Sequence, residues 1–289
     1  MTLRSINRPV PFAGSGKRHP LRCLFFAIRF LLPAGCLVLT PSALADHSGA
    51  DCPTNQVSNE TYTTFDVARI TDGDTLVLED NRRVRIIGLN TLELRAAHPD
   101  DKRWARIASL ALDDSIGDKS VTLIEGRDSL DRHGRTLGHI VNTAGDNVAL
   151  QLIDSGLGIA VAIGRNTQCA EQMLRHEIAA RQARRGIWHS PGPWFVNDAR
   201  LAGNERGFHV LQSTVERVTG SRRSPSLMLA NGLSVKLGKH WPKDTSPLNP
   251  VSVADLPGKR VEVRGWLSSS SGRVSLSLHH PANLTVLGN

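Results

Sequence analysis

Two prolines and a glycine fall within four residues at Ser190-Pro191-Gly192-Pro193, and neither helix nor strand runs easily through such a stretch. The break divides the 289-residue chain into bodies of different grammar. Upstream, short apolar alternations mix with helical patterns. Downstream, residues 208–218, 226–229, 233–237, 259–267, 273–278 and 284–287 read as short strands between Gly, Ser and Asn turns. A small barrel or sandwich buries such strands best. The division expected is therefore residues 62–190, a linker over 191–205, and an all-β body over 206–289.

The upstream body opens with strand-like runs at 63–70, 75–78 and 83–87, joined by turns at Asp72-Gly73 and Asp80-Asn81. Pro99-Asp100-Asp101 then starts a helix, with acidic residues at its electropositive end. Trp104, Ile107, Ala108 and Ala111 recur at helical spacing, which predicts that Trp104 faces the core. Strands follow at 120–125 and 136–142. A short helix over 147–154 stops at Ser155-Gly156, and a longer one covers 170–185 before Gly186.

The formal charge of +8 suggests an anionic partner, but its distribution matters more than its size. Residues 1–45 hold six basic residues and no acid. There a basic stretch leads into apolar residues 24–28, is interrupted by Arg29, and resumes over the ten residues 30–39. Ala43-Leu44-Ala45 supplies a small-x-small site, so a signal peptide over 1–45 cleaved before Asp46 is expected, with a polar lead over 46–61. The resumed run is too short to span a bilayer, so no stable membrane insertion is expected after cleavage. The mature protein would be periplasmic or secreted. It would keep two cysteines, Cys52 and Cys169; an oxidising compartment favours one disulfide, and two free thiols are the alternative. Zinc finds no second Cys or His pair at ligand spacing near either. In residues 193–289, twelve basic residues face six acidic ones, so the remaining surplus lies downstream.

Chemistry concentrates in three upstream blocks: Asp72-Gly73-Asp74-Thr75, the run from Arg85 to Glu93, and Asp131-Arg132-His133-Gly134-Arg135. In the strand 83–87 the period of two sets Arg85 opposite Val84 and Ile86. The following loop brings Asn90, Thr91 and Glu93 to the rim where Asp74 begins the neighbouring strand. Oxygen donors for a hard cation, one free carboxylate and two guanidinium groups suit attack on a phosphodiester. Glu93 is the candidate base; Arg85 and Arg135 can fork onto phosphate oxygens, which lysine does poorly. Singly, each has a bland reading: a hairpin turn, a surface Arg85–Glu93 pair, a solvated Arg135 turn.

In order and spacing these blocks resemble the staphylococcal nuclease (thermonuclease) family over residues 62–188. Residues 147–157 and the closing Arg185-Gly186-Ile187-Trp188 carry the resemblance further. It implies an α+β fold, an OB-fold barrel of five strands in Greek-key order with three helices, and Ca2+-dependent cleavage of DNA and RNA at the 5′-oxygen, leaving 3′-phosphates. Other divalent ions could serve in place of Ca2+. Carried over by position, Asp74 matches a carboxylate ligand, Asn90 a second ligand position and Thr91 a backbone-carbonyl ligand. Glu93 matches the general base, and Arg85 and Arg135 the phosphate-binding arginines. Asp72 falls where the family has an acid close to the metal.

Departures from the pattern carry their own expectations. Asn90 is neutral where a carboxylate is usual, which predicts weaker cation affinity. Leu92 replaces a proline and leaves the approach to Glu93 less rigid. His133 replaces a phenol, and residues 158–164 lack the tyrosines that would wall a nucleotide pocket. Tyr62 is the one tyrosine of the chain, and the five tryptophans read as mostly structural. Substrate grip is then expected from phosphates, with activity falling steeply in salt. The alternative is a non-catalytic nucleic-acid or protein-binding module. The C-terminal body matches no motif; a second OB-like barrel is one reading of it, and its partner is open. Arg222, Arg223, Lys236, Lys239 and Lys243 are its candidate nucleic-acid contacts.

Overall fold

A turn at Gly73 sends the chain straight back on itself, pairing Asp72 with Thr75 and starting a meander of β1 (Thr64–Asp72), β2 (Thr75–Leu78) and β3 (Arg83–Ile86). The computed structural model describes residues 52–54, 63–239, 241–242 and 250–288, all within one compact unit, His47–Asn289. The signal segment, its cleavage point, Tyr62 and Lys243 lie outside the described residues. After β3 come β4 (Leu89–Asn90), α1 (Pro99–Ile116), β5 (Ser120–Leu130), β6 (Thr136–Asn142), α2 (Val148–Asp154), β7 (Ile159–Ala160) and α3 (Ala170–Gln182). Strands close in the ring β1-β2-β3-β6-β5, with β3 and β6 parallel. This is the OB-fold ring in Greek-key order, carrying three α-helices.

Alternation builds the core. Leu76, Leu78, Val84, Ile86, Val121, Leu123 and Ile140 point into the barrel, and α1 and α2 add Leu112, Ile116, Leu152 and Ile153. Burying each such side chain contributes about 1.5–3 kcal/mol. The buried stripe of α1 is Asp101, Ala105, Ala108, Leu112 and Ile116, one position round from the stripe the sequence suggested. Trp104 is accordingly half-buried at its edge, with the Arg103 guanidinium 5.5 Å from its ring centre. Asn147 caps α2, its side chain accepting from the Leu150 N–H. Cys52 and Cys169 are joined by a disulfide with Cα atoms 4.8 Å apart, tying the N-terminal segment to the start of α3.

Downstream run β8 (Phe195–Asn197), β9 (Gly207–Ser221), β10 (Ser224–Leu229), β11 (Ser234–Leu237), β12 (Arg260–Ser270), β13 (Arg273–Leu278) and β14 (Leu284–Val286). The order β10-β11-β13-β12, closed by β9 pairing with both β10 and β12, makes a second ring. Its β11–β13 pair is parallel, as β3–β6 is in the first, so the second barrel repeats the strand order of the first. Its core is a separate cluster including Leu211, Leu227, Val235, Val263 and Leu276.

The segment expected to be a linker is instead a joint. Trp194 is buried, and β8 adds in parallel to β9. Trp188, Trp194 and Phe195 meet edge to face, with Trp188 and Trp194 centroids 5.2 Å apart. Leu92, Ala105, Ala180 and Val210 complete a core cluster drawn from both sides of the proline break. Behind it lies a buried ion network. Arg264 of β12 pairs with Glu177 of α3 at 2.8 Å and with Glu262, and Arg181 pairs with Glu177 at 2.5 Å and Glu262 at 2.6 Å. Burial alone would raise the Glu262 carboxyl, yet Arg181 and Arg264 bring it down to about 2. Asn283 adds a clamp, donating to the Ala162 carbonyl at 2.7 Å and accepting from the Ala162 N–H at 2.9 Å.

Candidate active site

Gly88, at φ +78°, turns the chain out of the barrel after β3, and an added Cβ would lie 2.1 Å from Met173 Sδ. The turn lays β4 against β7 and sets Asn90 opposite Ile159. Asn90 and Thr91 thereby come beside Asp74 at the start of β2. Asp74 Oδ1 accepts from the Thr75 hydroxyl at 2.9 Å, and its Oδ2 from the Thr91 N–H at 3.1 Å. Arg85 is buried rather than solvated, and its ion pair is with Asp74 at 3.0 Å, not with Glu93. Its guanidinium also donates to the Leu89 carbonyl at 2.6 Å, the Ile86 carbonyl at 3.1 Å and Asn90 Oδ1 at 3.2 Å.

Arg135 is aimed by its own turn. Asp131 Oδ1 accepts from the N–H groups of His133 and Arg135, and its Oδ2 holds Arg135 Nε at 2.7 Å. Burial raises the Asp131 carboxyl, but those bonds win and hold it below the usual carboxylate range. Arg135 Nη1 reaches the Thr75 hydroxyl at 3.5 Å, so Thr75 joins the two halves of the site. Asp131 and Thr75 were not singled out from sequence as positioning residues. An acid and an arginine four apart around a glycine turn were the signal for Asp131; Thr75 had none of its own.

Glu93 faces solvent at the cleft and makes no side-chain hydrogen bond or ion pair among the described residues. Desolvation raises its carboxyl, Asp74 raises it further, and Arg85 and Arg135 offset part of this. Burial pushes Asp72 up to about 6, the Gly73 N–H lowers it, and Asp74 and Glu93 raise it again. Leu92 is buried in the inter-barrel cluster, so packing restrains the approach to Glu93 where proline would have done so covalently.

The donor set fits a hard cation. Asp74, the Asn90 amide oxygen and the Thr91 carbonyl are all oxygen donors, and Thr91 Oγ1 is buried without a partner. The mutual repulsion of Asp72, Asp74 and Glu93 favours positive charge among them. Among the described residues no three His, Cys, Asp or Glu side chains gather closely enough to hold a metal by themselves, so neutral oxygens would have to complete the set.

Asp72, Asp74, Arg85, Asn90, Glu93 and Arg135 line one cleft of about 980 Å3, with Arg83, Arg127, Arg132 and Trp266 among its other walls. Trp188 and Trp194 are buried and Trp104 and Trp241 pack against cores, as the reading of the tryptophans as mostly structural expects; Trp266 is the exception at 44% exposed. Arg222, Arg223, Lys236 and Lys239 are exposed but do not line the cleft. No helix among the described residues is long and apolar enough to cross a membrane.

An OB-fold barrel whose rim gathers two arginines, an unpaired glutamate and a set of oxygen donors defines a nuclease-type scaffold. The family model described as "Staphylococcal nuclease homologue" matches residues 83–190. An uncharacterized endonuclease of Escherichia coli is 31% identical over 127 residues, 44% of this chain and 78% of that protein, as is one from Escherichia coli O157:H7. An uncharacterized protein of Bacillus anthracis is 31% identical over 137 residues; the match covers 46% of this chain and 63% of that protein. The chain belongs to the staphylococcal nuclease homologue family.

Proposed function

We propose that this protein is an exported, metal-dependent phosphodiesterase that hydrolyses DNA, RNA or both. The observation that carries the reading is Glu93: a carboxylate with no partner among the described residues, raised in pKa, near two arginines. A purely binding surface has no use for a free base beside its cationic groups.

In the mechanism, Glu93 takes a proton from the attacking water as the water oxygen bonds to phosphorus. Arg85 and Arg135 receive the charge that builds on the phosphoryl oxygens. Asp131 and Thr75 hold Arg135 in place for this. The phosphorus–5′-oxygen bond breaks, the 5′-oxygen takes up a proton from solvent, and the 3′-phosphate remains on the other product. Ca2+, or another divalent ion, held by Asp74, Asn90 and the Thr91 carbonyl would supply Lewis-acid polarisation of a phosphate oxygen.

Export is supported by the signal-like composition of residues 1–45 and by the Cys52–Cys169 disulfide, which suits a periplasmic or secreted location. The functional partition we propose is a nuclease body over 62–190 and an appended β body over 206–289. The test is cleavage of plasmid DNA and single-stranded RNA across a calcium series, with chelator and Glu93→Gln controls. Loss of cleavage in Glu93→Gln and with chelator is expected. Unchanged cleavage in Glu93→Gln, or none by the unsubstituted protein at any metal concentration, removes the reading. Metal-independent binding without cleavage would favour a non-catalytic module, the reading to which the neutral Asn90 lends weight.

A further inference from the structure

The second barrel reaches the cleft through one strand. In β12, Val261, Val263 and Leu267 face the second core, so the period of two turns Glu262, Arg264 and Trp266 to the opposite face. The first two of that face are sealed against α3 of the nuclease body by Glu177 and Arg181. Trp266 comes next along the strand, and there the interface opens into the cleft that holds Asp74, Arg85, Glu93 and Arg135.

The indole is braced on one side and free on the other. Phe208 stands opposite it on β9, and their rings meet edge to face with centroids 5.0 Å apart. Its 44% exposure is large for a tryptophan, and no other Phe, Tyr or Trp among the described residues lines the cleft. The same cleft is lined by Arg83, Arg127 and Arg132, none paired with a carboxylate among the described residues. A flat apolar ring in a cleft with guanidinium groups that no carboxylate neutralises suits a ligand that alternates planar bases with phosphates.

We propose that Trp266 is a substrate-binding residue of this cleft, stacking an unpaired base of a single-stranded nucleic acid while the arginines engage its phosphates. The appended barrel thus completes the active site, supplying the aromatic surface that the nuclease body lacks. The inference rests on the nuclease reading for its choice of ligand.

The test separates the two. Binding of a labelled single-stranded DNA of about ten thymidines, and of an abasic strand of the same length, is measured by fluorescence anisotropy on the full chain carrying Glu93→Gln, in calcium buffer. The abasic strand should bind about 5- to 150-fold more weakly than the base-bearing one. Adding Trp266→Ala should impose a similar loss on the base-bearing strand and none on the abasic strand, and Trp266→Phe should restore most of it. The abasic comparison needs no change at Trp266, so it stands even where Trp266→Ala folds poorly. The proposal is overturned if Trp266→Ala binds the base-bearing strand within about twofold of its parent, or weakens both strands equally. Cleavage of the thymidine strand by the unsubstituted protein is scored separately. Cleavage without base discrimination at Trp266 sinks the stacking role alone, and discrimination without cleavage sinks the hydrolytic reading alone.

Discussion

Asn90 and Asp74 share a single donor, since Arg85 Nη2 bonds both Asn90 Oδ1 and Asp74 Oδ2. Guanidinium and cation therefore compete for the same oxygens, and only one of the two side chains brings a formal charge. A carboxylate at position 90 would ease that competition. Asn90→Asp should lower the calcium giving half-maximal cleavage by about tenfold, with the same shift in calorimetric calcium binding to the Glu93→Gln form. No shift in either removes Asn90 from the ion's surroundings. Arg85→Lys should reduce kcat/KM by about 100-fold or more, since a point charge cannot make the contacts of the planar fork. Retention of most activity would make the fork dispensable. The sequence carries these positions because the turn at Asp72-Gly73 and the short run from Arg85 to Glu93 fix them locally. Asp131 and Thr75 were less legible: their work is done across the ring, between strands distant in sequence.

Among the elements, α3 was legible as a helix but not as half of an ion network. Glu177 and Arg181 stand four apart on a helix, a pattern ordinarily worth a few tenths of a kcal/mol at a solvated surface. Only the approach of β12 buries Glu177 and gives it a second cation in Arg264. Breaking such a network strands a charge away from water. Arg264→Ala should destabilise the protein by about 3–5 kcal/mol, read from urea unfolding. Arg264→Met combined with Glu177→Met should cost much less than the two single changes summed. Additive losses would mean that the two groups do not act on each other. The strands of the second barrel were legible one by one, because turn residues bound each run. The parallel β11–β13 pairing was not, since it joins runs far apart in sequence with the whole of β12 between them.

At the scale of the molecule, the proline break marks a change of grammar in the sequence and packs as a joint in the structure. Tryptophans on either side of it supply the apolar surface that holds the barrels together, and composition alone does not say which ring a tryptophan will meet. Buried titratable groups in the barrel and at the joint set how the whole responds to acid. His139, in β6, is 2% exposed with Nδ1 unpartnered, and burial lowers its pKa from 6.5 to about 4. The unfolded chain thus takes up its proton first. The His139 contribution is full above the unfolded value and is lost as pH drops from 6.5 toward 4, by about 3 kcal/mol. Asp72, raised to about 6, takes up its proton earlier in the folded state and offsets part of that loss. Glu262 is also depressed, from 4.5 to about 2, so its contribution is present above 4.5 and is lost from there down to about 2. The two windows barely overlap, and they sit in different places: the first in the nuclease barrel, the second at the joint. Urea midpoints measured between pH 7.5 and pH 3 should therefore separate the two losses when each variant is set against its parent. His139→Gln should flatten the upper one and leave the lower, whereas Glu262→Gln should flatten the lower one on a protein already weakened at neutral pH. If His139→Gln keeps the full slope between pH 6.5 and 4, another group is responsible for the upper loss.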